Sequence, residues 1–417
     1  MIHLHFKYGF GKGYKKFDVP DKNVLMEIKQ NDVKVDSKGI EEVIRALQNP
    51  IGCNRLNEIV KAGEKIVVIT SDITRPMPSR IVLPPLIEEL LSAGVEYNDI
   101  TVVFALGSHR HHTEEEKKYL VGEEIYNMVK CVDSNPDDCV HLGYTRRGTP
   151  VDVFSLVVNA DRRICLGNIE YHYFAGYSGG MKAIMPGVST RDAIQANHSG
   201  MVNPDARAGK IENNPVREDI EQVVDFVPVD FIVNVVLDEG KNIIKAVAGH
   251  HVAAHREGCR FLDSLYKIKI PRKADIVLAT PGGYPKDINL YQAQKALDNA
   301  KHAVRDGGII ILLASCIEGL GEKIFEKWML NAGTPDSMVK QIQKNFELGG
   351  HKAAAIALVL QKAKIFLVSD MDAGFVKSLF MKPFSSVDEA LKEAFIELGE
   401  DSEVILMPYG GSTLPVE

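Results

Sequence analysis

Short apolar runs rich in valine and isoleucine recur along the whole chain, and each is followed by a loop and a helical pattern. Parallel strands that are buried on both faces have this continuous apolar character, whereas strands with one solvated face alternate. Strands that alternate with helices predict an α/β fold with largely parallel sheets. The predicted strands are 65–70, 100–106, 163–169, 231–237, 275–279, 309–313, 365–368 and 404–407.

The length of the chain predicts two domains, because 417 residues exceed the size at which one hydrophobic core stops growing. The segment Lys267–Lys273 follows a long amphipathic helix pattern and precedes a new strand. We therefore predict an α/β domain over residues 1–268 and a second over 269–417, with the active site in the cleft between them. The glycine- and proline-rich residues 407–417 are expected to pack back on the first domain.

Composition argues against several classes of partner. A net charge of −7 at pH 7 without a long basic run argues against nucleic acid. The N-terminal sequence lacks the apolar core of a signal peptide, and no segment reaches the ~18 consecutive apolar residues of a membrane span. The 6 cysteines are scattered, which argues against a zinc knuckle or a disulfide framework. We expect a cytoplasmic protein that acts on a small molecule and has no membrane partner.

The segment from His172 to His198 has the composition of a functional site. It holds two imidazoles, a glycine-rich turn and one lysine, Lys182, among few other charges. Glycines such as Gly179 and Gly180 let the backbone approach a ligand closely, and successive N–H groups in such a turn can bind an anion. For any one of these residues alone, a surface loop with structural histidines explains the pattern equally well. Their combination favours a site.

Polar residues also follow other predicted strands, at the edge where open α/β sheets bind ligands. Asp72 and Arg75 come after the first of these strands, and a guanidinium there suits the capture of a carboxylate. The alternative for this pair is a helix cap beside a surface arginine. His109 follows the next strand and is predicted to be functional, whereas His111 and His112 are expected to be solvated.

A helical pattern in the second domain carries Tyr291, Gln292 and Lys295, and Lys295 shares a helix face with either neighbour. A lysine and a glutamine that face a cleft would close over an anion, although an exposed helix face shows the same residues. The sequence lacks a Walker loop, a dinucleotide fingerprint after the first strand, a nucleophile elbow and a His-Glu-x-x-His motif. What remains is a pair of imidazoles, His109 and His172, for acid–base work.

Over essentially its full length the chain resembles the nickel-dependent lactate racemases and their 2-hydroxyacid racemase and epimerase relatives. The resemblance implies an isomerase that racemises a 2-hydroxy acid, with lactate the first candidate and a larger hydroxy acid or a sugar acid the second. A cofactor-free protein that binds organic anions, and a metallohydrolase that uses the histidines at 109–112, are the alternatives. The matching segments are Ser71–Pro76, Gly107–Arg110, Gly167–Glu170 with His172, Gly179–Lys182 with Pro186–Gly187, Asn197–His198, and Tyr291–Gln292 with Lys295.

The resemblance also implies a cofactor. In the family a nickel-pincer nucleotide, pyridinium-3-thioamide-5-thiocarboxylic acid mononucleotide, holds nickel (Ni), and cofactor-assembly and nickel-insertion enzymes supply it. Lys182 takes the place of the lysine that is joined covalently to this cofactor, and His198 takes the place of the protein ligand to nickel. The same resemblance implies that Gly179, Gly180 and Asp72 bind the cofactor.

The resemblance makes His109 and His172 the alternating general base and acid on opposite sides of the substrate, whose α-hydrogen leaves as hydride. One departure from the family pattern concerns the wall of the substrate pocket. The lactate enzymes place a tryptophan there, but Trp328 does not align with it, and residues 349–360 are expected to supply small or aliphatic side chains instead. The substrate-binding residues that the resemblance implies are Arg75, Lys295, Gln292 and Tyr291.

Overall fold

The apolar runs form strands at the predicted places. The computed structural model describes residues 2–417, and within them each predicted strand is present. The strands are β1 (His3–Phe10), β2 (Gly13–Pro20), β3 (Val24–Glu27), β4 (Ile66–Ser71), β5 (Ile100–Ala105), β6 (Lys130–Asp133), β7 (Cys139–Tyr144), β8 (Pro150–Phe154), β9 (Arg162–Asn168), β10 (Tyr171–His172), β11 (Gly176–Tyr177), β12 (Phe231–Leu237), β13 (Ile243–Gly249), β14 (Lys267–Lys269), β15 (Ala274–Ala279), β16 (Val304–Leu313), β17 (Lys364–Val368), β18 (Lys382–Phe384), β19 (Val404–Met407) and β20 (Leu414–Val416).

Helices fill the intervals between the main strands, and several begin with a side-chain cap that the sequence supplies. Thr113 forms a reciprocal capping box with Glu116. The α-helices are α1 (Gly39–Gln48), α2 (Leu56–Ile59), α3 (Ser79–Ser92), α4 (Glu114–Val121), α5 (Glu123–Met128), α6 (Ser155–Val158), α7 (Arg191–His198), α8 (Pro215–Gln222), α9 (Ala253–Tyr266), α10 (Leu290–Ala300), α11 (Lys323–Asn331), α12 (Pro335–Lys344), α13 (Gly350–Leu360), α14 (Ala373–Ser378) and α15 (Val387–Leu398). None of the helices described within residues 2–417 is long and apolar enough to cross a membrane.

The chain divides into two units. The central unit is Val33–Ser264, and the terminal unit joins the chain up to Asp32 with Leu265–Glu417. The structure thus corrects the predicted domains 1–268 and 269–417 at the N-terminus, because β3 pairs with β19 and brings the first segment into the terminal unit. The last residues were expected to pack on the first domain, but β20 pairs with β14 inside the terminal unit.

The central unit is built on a 6-stranded sheet of order β13-β12-β9-β4-β5-β6. All neighbours are parallel except β13, which runs antiparallel to β12 at one edge. Strand β4 is buried along almost its whole length, as expected for a strand covered on both faces. Helix α3 contributes Leu83 and Leu86 to the core on one face of this sheet, where they pack with Val68 and Val102.

The terminal unit has its own 6-stranded sheet, of order β18-β17-β16-β15-β19-β3. Every pair of neighbours in it is parallel. The N-terminal hairpin β1–β2 adds Tyr8, Phe17 and Val19 to the core that Leu278 and Ile311 form on this sheet. Both units therefore have the α/β architecture that the alternating pattern predicts.

Candidate active site

Three adjacent strands of the central unit bring the polar loops to one edge of its sheet. Strands β9, β4 and β5 lie side by side and run parallel, so their carboxyl ends reach the same edge. The loops that follow them begin at Asp72, Leu106 and Ile169. The predicted polar segments after these strands therefore lie at one edge of the sheet.

A carboxylate holds His109 in one tautomer. The Nδ1 atom of His109 lies 2.7 Å from Asp72 Oδ2, and the N–H of Thr74 donates to Asp72 Oδ1 at 2.6 Å. Because an ionised carboxylate only accepts, Nδ1 carries the proton and Nε2 carries the lone pair. Burial opposes ionisation of Asp72, but the hydrogen bonds from His109 and Thr74 outweigh it and lower the pKa of the carboxyl. The His109 side chain, 29% exposed, is set up to accept a proton at Nε2.

His112 is a buried structural residue. Its Nδ1 lies 2.6 Å from Asp133 Oδ1, its Nε2 accepts the N–H of Ile73 at 3.1 Å, and its side chain is 1% exposed. The expectation that it is solvated is therefore wrong, whereas His111 is exposed as expected. Both ring nitrogens of His112 are engaged, so it cannot ligate a metal together with His109. Within residues 2–417, no group of three or more His, Cys, Asp or Glu side chains is arranged to hold a metal ion.

The ring of Phe174 brings three of the predicted site residues together. The imidazoles of His172 and His198 meet it edge-on, with centroid distances of 4.5 and 4.8 Å. The Nζ atom of Lys182 lies 5.9 Å from the same centroid. Phe174 itself is buried. Nothing in the sequence marks it as a site residue, although it stands two positions after His172, because an aromatic residue there is typical of ordinary core.

His172 lies among aromatic rings and positive charges. It stacks on Tyr173 at a centroid distance of 5.2 Å, and its Nδ1 accepts the N–H of Ala175 at 3.2 Å. The neutral ring therefore carries its proton on Nε2, the opposite tautomer to His109. Burial and, after it, the positive charge of Lys182 hold the pKa of His172 well below its usual range.

Lys182 lies in the 3-10 turn Gly180–Ala183 and forms no salt bridge with any residue in the described range 2–417. Burial, followed by the charges of Arg217 and Arg75, lowers the pKa of Lys182 well below its usual range. A lysine with a lowered pKa carries a larger neutral fraction at neutral pH, and the neutral amine is the form that suits covalent attachment.

The turn before Lys182 is packed against the sheet and a helix. Gly179 and Gly180 have φ values of 74° and 59°, and the N–H of Gly180 donates to Asn234 Oδ1 at 2.8 Å. A Cβ on Gly180 would lie 3.0 Å from the ring of His255 on α9, and one on Gly179 would lie 2.8 Å from Asn234 Oδ1. The contacts give both glycines a packing role. Their contact with a cofactor stays a prediction.

A buried arginine on α8 is hydrogen-bonded to the segment that precedes Lys182. Arg217 on α8 is fully buried, and its Nε donates to the carbonyl of Ala175 at 3.1 Å. Its Nη2 donates to the carbonyl of Tyr177, and its Nη1 lies 3.7 Å from Glu221 Oε1. Nothing in the sequence marks Arg217 as part of the site, since an arginine on a predicted helix is usually solvated.

His198 ends α7 and is oriented by its neighbour in the chain. Its Nδ1 lies 3.0 Å from Asn197 Oδ1. The Asn197 amide is fixed in turn, because its Nδ2 donates to Asp219 Oδ2 at 2.8 Å and to the carbonyl of Val216 at 3.2 Å. Since the amide oxygen accepts, Nδ1 of His198 carries the proton and Nε2 carries the lone pair. A buried imidazole in this tautomer has the arrangement of a metal-ligating histidine with a fixed outer partner.

Arg75 is exposed and forms no salt bridge with any residue in the described chain. Its Nη1 lies 3.4 Å from Thr74 Oγ1. Its positive charge contributes to the lowered pKa of both His172 and Lys182, which means that it lies near them. An exposed guanidinium beside this cluster is available to an anionic substrate.

The remaining predicted substrate residues belong to the terminal unit. Gln292 and Lys295 are exposed on α10, and Lys295 forms no salt bridge within residues 2–417. Tyr291 is half-buried, and its carbonyl accepts a hydrogen bond from Lys352 Nζ at 2.8 Å. The Lys352 ammonium also lies 4.5 Å from the centroid of the Tyr291 ring. Lys352 therefore fixes Tyr291, a contact that the sequence did not reveal.

Trp328 is held inside the terminal unit. Its Nε1 donates to Glu347 Oε2 at 2.6 Å, and a Cβ on Gly350 would lie 2.4 Å from its ring. Trp328 therefore packs on the first turn of α13 and is fixed there. The following residues of α13, Ala353–Ala355, are small and buried. The wall of small side chains expected from residues 349–360 stays a prediction.

Known proteins match the chain over nearly its full length. Residues 10–209 match the family model of the lactate racemase N-terminal domain, and residues 270–414 match that of the lactate racemase C-terminal domain. The lactate racemase of Thermoanaerobacterium thermosaccharolyticum is 36% identical and covers 97% of each chain. The lactate racemase of Lactiplantibacillus plantarum is 34% identical over 89% of each. The chain belongs to the lactate racemase family.

Solved structures agree with this membership of the lactate racemase family. The lactate racemase apoprotein from T. thermosaccharolyticum superposes with a TM-score of 0.89 at 34% identity, covering 99% of this chain and 100% of that one. A Thermotoga maritima protein with 19% identity and a TM-score of 0.63, covering 92% of this chain and 100% of that one, shares the fold. The predicted family, α/β fold class and isomerase class are confirmed.

Among the predicted residues of this lactate racemase family member, the structure groups His172, Lys182 and His198 around one ring and pairs His109 with Asp72. Asp72 was predicted to bind the cofactor. Its two oxygens are taken by His109 and by a backbone N–H, so its contacts in the structure make it the partner of His109.

Proposed function

We propose that this chain racemises a small 2-hydroxy acid, with lactate the first candidate, and uses a nickel-pincer nucleotide joined to Lys182. The observation that carries the proposal is the grouping of His172, Lys182 and His198 around Phe174. It occurs in a chain whose curated relatives are lactate racemases over nearly their full length.

The residues present fit this cofactor. Lys182 has a lowered pKa and no acidic partner among the described residues 2–417, which suits a covalent link. His198 supplies one nitrogen, and no cluster of three or more protein ligands lies in the described chain. That donor set suits a nickel ion whose remaining donors belong to the cofactor. When bound, the cofactor would accept a hydride from the α-carbon of the substrate and return it to the other face.

His109 has the environment of a general base. Its Nε2 carries the lone pair and takes the proton of the substrate hydroxyl as the α-hydrogen departs. The Asp72 carboxylate at Nδ1 stabilises the imidazolium that forms and keeps the ring in the required orientation. The product of this step is a bound 2-oxo acid, whose carbonyl oxygen then needs a proton from the opposite side.

His172 has the environment of a general acid. A ring whose pKa is held well below its usual range gives up a proton readily once it is protonated. The protonated ring delivers its Nε2 proton to the carbonyl oxygen and keeps the proton on Nδ1, so its hydrogen bond from the Ala175 N–H opens during turnover as the α-carbon is inverted. For the opposite enantiomer the two histidines exchange roles, so each must be able to hold a proton at Nε2 in turn.

Arg75 is proposed to hold the substrate carboxylate in the central unit. Its guanidinium is exposed and lies close enough to His172 and Lys182 to influence both. A charge-assisted hydrogen bond contributes roughly 1.5–3 kcal/mol. Gln292, Lys295 and Tyr291 of the terminal unit are proposed as further substrate residues, on the strength of the family resemblance.

A larger 2-hydroxy acid or a sugar acid is the second candidate substrate. Trp328 is locked against Glu347 and Gly350, and the small residues Ala353–Ala355 follow on α13. The family resemblance puts residues 349–360 at the pocket wall, and a wall of small side chains would accommodate a bulkier substrate than one that holds an indole. A panel of hydroxy acids assayed with the nickel-loaded protein ranks the two candidates.

Metal analysis and mass spectrometry test the proposal. The chain is produced together with enzymes that assemble the cofactor and insert nickel, its proposed maturation partners. We expect about one nickel per chain and a mass increase on Lys182, both absent in Lys182→Ala. An unmodified Lys182 amine in fully active protein contradicts the proposal. Zinc in place of nickel favours a metallohydrolase, and anion binding without any metal favours a cofactor-free binding protein.

The fate of the α-hydrogen provides a second arm of the same test. Substrate deuterated at the α-carbon is expected to give the opposite enantiomer with its deuterium retained, because a hydride that moves to the cofactor and back does not exchange with water. Extensive loss of the label to solvent contradicts hydride transfer and favours abstraction of the α-hydrogen as a proton.

A further inference from the structure

A buried carboxylate lies two hydrogen bonds away from His198. Asp219 on α8 is buried, and its Oδ2 accepts from Asn197 Nδ2 at 2.8 Å and from Thr149 Oγ1 at 2.6 Å. Its Oδ1 accepts from the hydroxyl of Thr145. Asn197 Oδ1 in turn lies 3.0 Å from His198 Nδ1. A continuous chain of hydrogen bonds therefore runs from the loop between β7 and β8 to the imidazole.

The acceptors around Asn197 determine which way its side-chain amide faces. A side-chain amide can be turned over so that its oxygen and nitrogen exchange places. Here the Asp219 carboxylate and the Val216 carbonyl both accept, so each requires an N–H from Asn197. Both amide hydrogens are used on that side, and the oxygen faces His198. An acceptor opposite Nδ1 requires the proton on Nδ1, which leaves the lone pair on Nε2.

We propose that Asp219 is a positioning residue that acts through Asn197 to hold His198 in the tautomer with its lone pair on Nε2. The proposal rests on the proposed role of His198 as the nickel ligand. A neutral imidazole binds a metal through its lone-pair nitrogen, and the hydrogen bond at the other nitrogen selects which one that is. Loss of such an outer partner typically weakens metal binding about 10- to 100-fold.

The surroundings of Asp219 point to this role more than to a purely structural one. Burying a carboxylate is costly unless donors compensate it, and Asp219 forms no salt bridge with any residue within the described range 2–417. Two threonine hydroxyls and the Asn197 amide are its donors. A neutral amide at this position would still accept from a threonine, but it would also offer an N–H to Asn197. The carboxylate is therefore the group that fixes the donor-to-acceptor direction of these hydrogen bonds.

The tautomer of His198 is measurable before any cofactor is bound. In nitrogen-correlated NMR spectra of the apoprotein with ¹⁵N-labelled histidine, a ring nitrogen with a proton resonates far from one with a lone pair. The variant His198→Gln assigns the signal. We expect the Nδ1–H form in the unaltered chain and the Nε2–H form as the main species in Asp219→Asn. Glu218→Gln, the same chemical change on the adjacent exposed residue of α8, is the matched control and is expected to keep the Nδ1–H form.

The reciprocal double variant Asp219→Asn/Asn197→Asp separates positioning from stability. The carboxylate at position 197 would accept both from the amide at 219 and from His198, so we expect the Nδ1–H form to return. If Asp219→Asn alone does not fold, the tautomer of His198 in this double variant still tests the proposal. The Nδ1–H form in folded Asp219→Asn, or the Nε2–H form in the double variant, overturns the proposal.

Nickel retention then links the tautomer to the metal. Matured Asp219→Asn is expected to lose nickel to a chelator about 10- to 100-fold faster than the unaltered chain, and the double variant is expected to recover. Equal retention in all variants overturns the link to nickel. If the unaltered chain takes up no nickel, the proposed function fails, whereas the tautomer result in the apoprotein is unaffected.

Discussion

His109 and His172, the two histidines proposed to carry protons, are held by opposite kinds of neighbour. His109 donates to the buried carboxylate of Asp72, and its side chain stays partly exposed. His172 has no carboxylate partner within the described residues 2–417 and lies against the rings of Tyr173 and Phe174. Their neutral tautomers differ as well, with the lone pair on Nε2 in His109 and on Nδ1 in His172.

The contrast indicates that environment assigns the two roles. A carboxylate at Nδ1 stabilises the positive charge that a base acquires. Burial and a neighbouring cation oppose that charge on His172 and lower its pKa. In the direction in which His109 is the base, its environment favours accepting a proton and that of His172 favours releasing one, and the opposite enantiomer reverses these roles.

Removal of either imidazole is expected to have the largest effect. His109→Gln and His172→Gln should each lower racemisation about 10²- to 10⁴-fold, the usual cost of losing a general acid or base. Acid quenching of a single turnover distinguishes the two variants. His172→Gln should still form bound 2-oxo acid from the enantiomer whose hydroxyl faces His109, and His109→Gln should form it only from the other.

Unchanged racemisation in one of these variants removes that histidine from the mechanism. Formation of 2-oxo acid from the same enantiomer in both variants contradicts the placement of the two rings on opposite sides of the substrate. His111→Gln is the control, since His111 is exposed, and its racemisation rate should stay unchanged.

Loss of the Asp72 carboxylate is expected to have an intermediate effect. In Asp72→Asn the ring of His109 loses the acceptor that holds its proton on Nδ1, so we expect kcat to fall, but by less than the roughly 10²- to 10⁴-fold loss expected when the ring itself is removed. Steady-state kinetics of the nickel-loaded variants measure it. The double variant Asp72→Asn/His109→Gln should be no slower than His109→Gln, because Asp72 acts through that ring.

A surface pair of the same type provides the matched control. Asp152 Oδ1 lies 2.6 Å from His141 Nδ1, and that histidine is exposed. Asp152→Asn should leave kcat unaltered. A full additive loss in the Asp72→Asn/His109→Gln double variant would give Asp72 a second role, independent of His109.

The pH dependence of stability is the smallest expected effect. The pKa of His172 in the folded chain lies below that of the unfolded chain, so the unfolded state binds more protons as the pH falls below about 6.5. The free energy of unfolding therefore decreases with falling pH, with this residue contributing up to about 1.4 kcal/mol per pH unit. Urea unfolding of the apoprotein should show a shallower decrease in His172→Gln between about pH 6.5 and pH 5.5.

The lowered pKa of Asp72 acts in the same direction, but its contribution is present above an unfolded value of about 3.9 and is lost only as the pH falls below it. An identical slope with and without His172 would mean that its imidazole titrates as freely in the folded chain as in the unfolded one.

The sheets were predictable because buried parallel strands leave a local signature. Ile66–Ser71 and Ala274–Ala279 are apolar along most of their length and need no partner to be recognised. The N-terminal hairpin has no such signature, since its outer face is polar. That β3 pairs with β19 is a contact between the two ends of the chain, and no local pattern records it.

The candidate site could be proposed from the sequence where residues follow strand ends, but not where distant segments supply the contacts. His109, Lys182 and His198 stand out in the sequence as titratable groups beside glycines and strand ends. Asp219 and Arg217 lie on an ordinary polar helix and become part of the site only through tertiary packing. The wrong prediction that His112 is solvated has the same cause, because its hydrogen-bond partner Asp133 lies on β6, the strand next to β5.

Burial and, after it, the charge of Arg217 make the reactivity of Lys182 a property of the folded state. In the unfolded chain this lysine has the basicity of any other, and at neutral pH it is an ammonium ion without a lone pair. Folding buries this amine, and the Arg217 guanidinium, which donates to the carbonyls of Ala175 and Tyr177, adds to the effect of burial by repelling the ammonium ion. Acquisition of native structure therefore raises the neutral, nucleophilic fraction of this amine, an increase that a misfolded chain lacks.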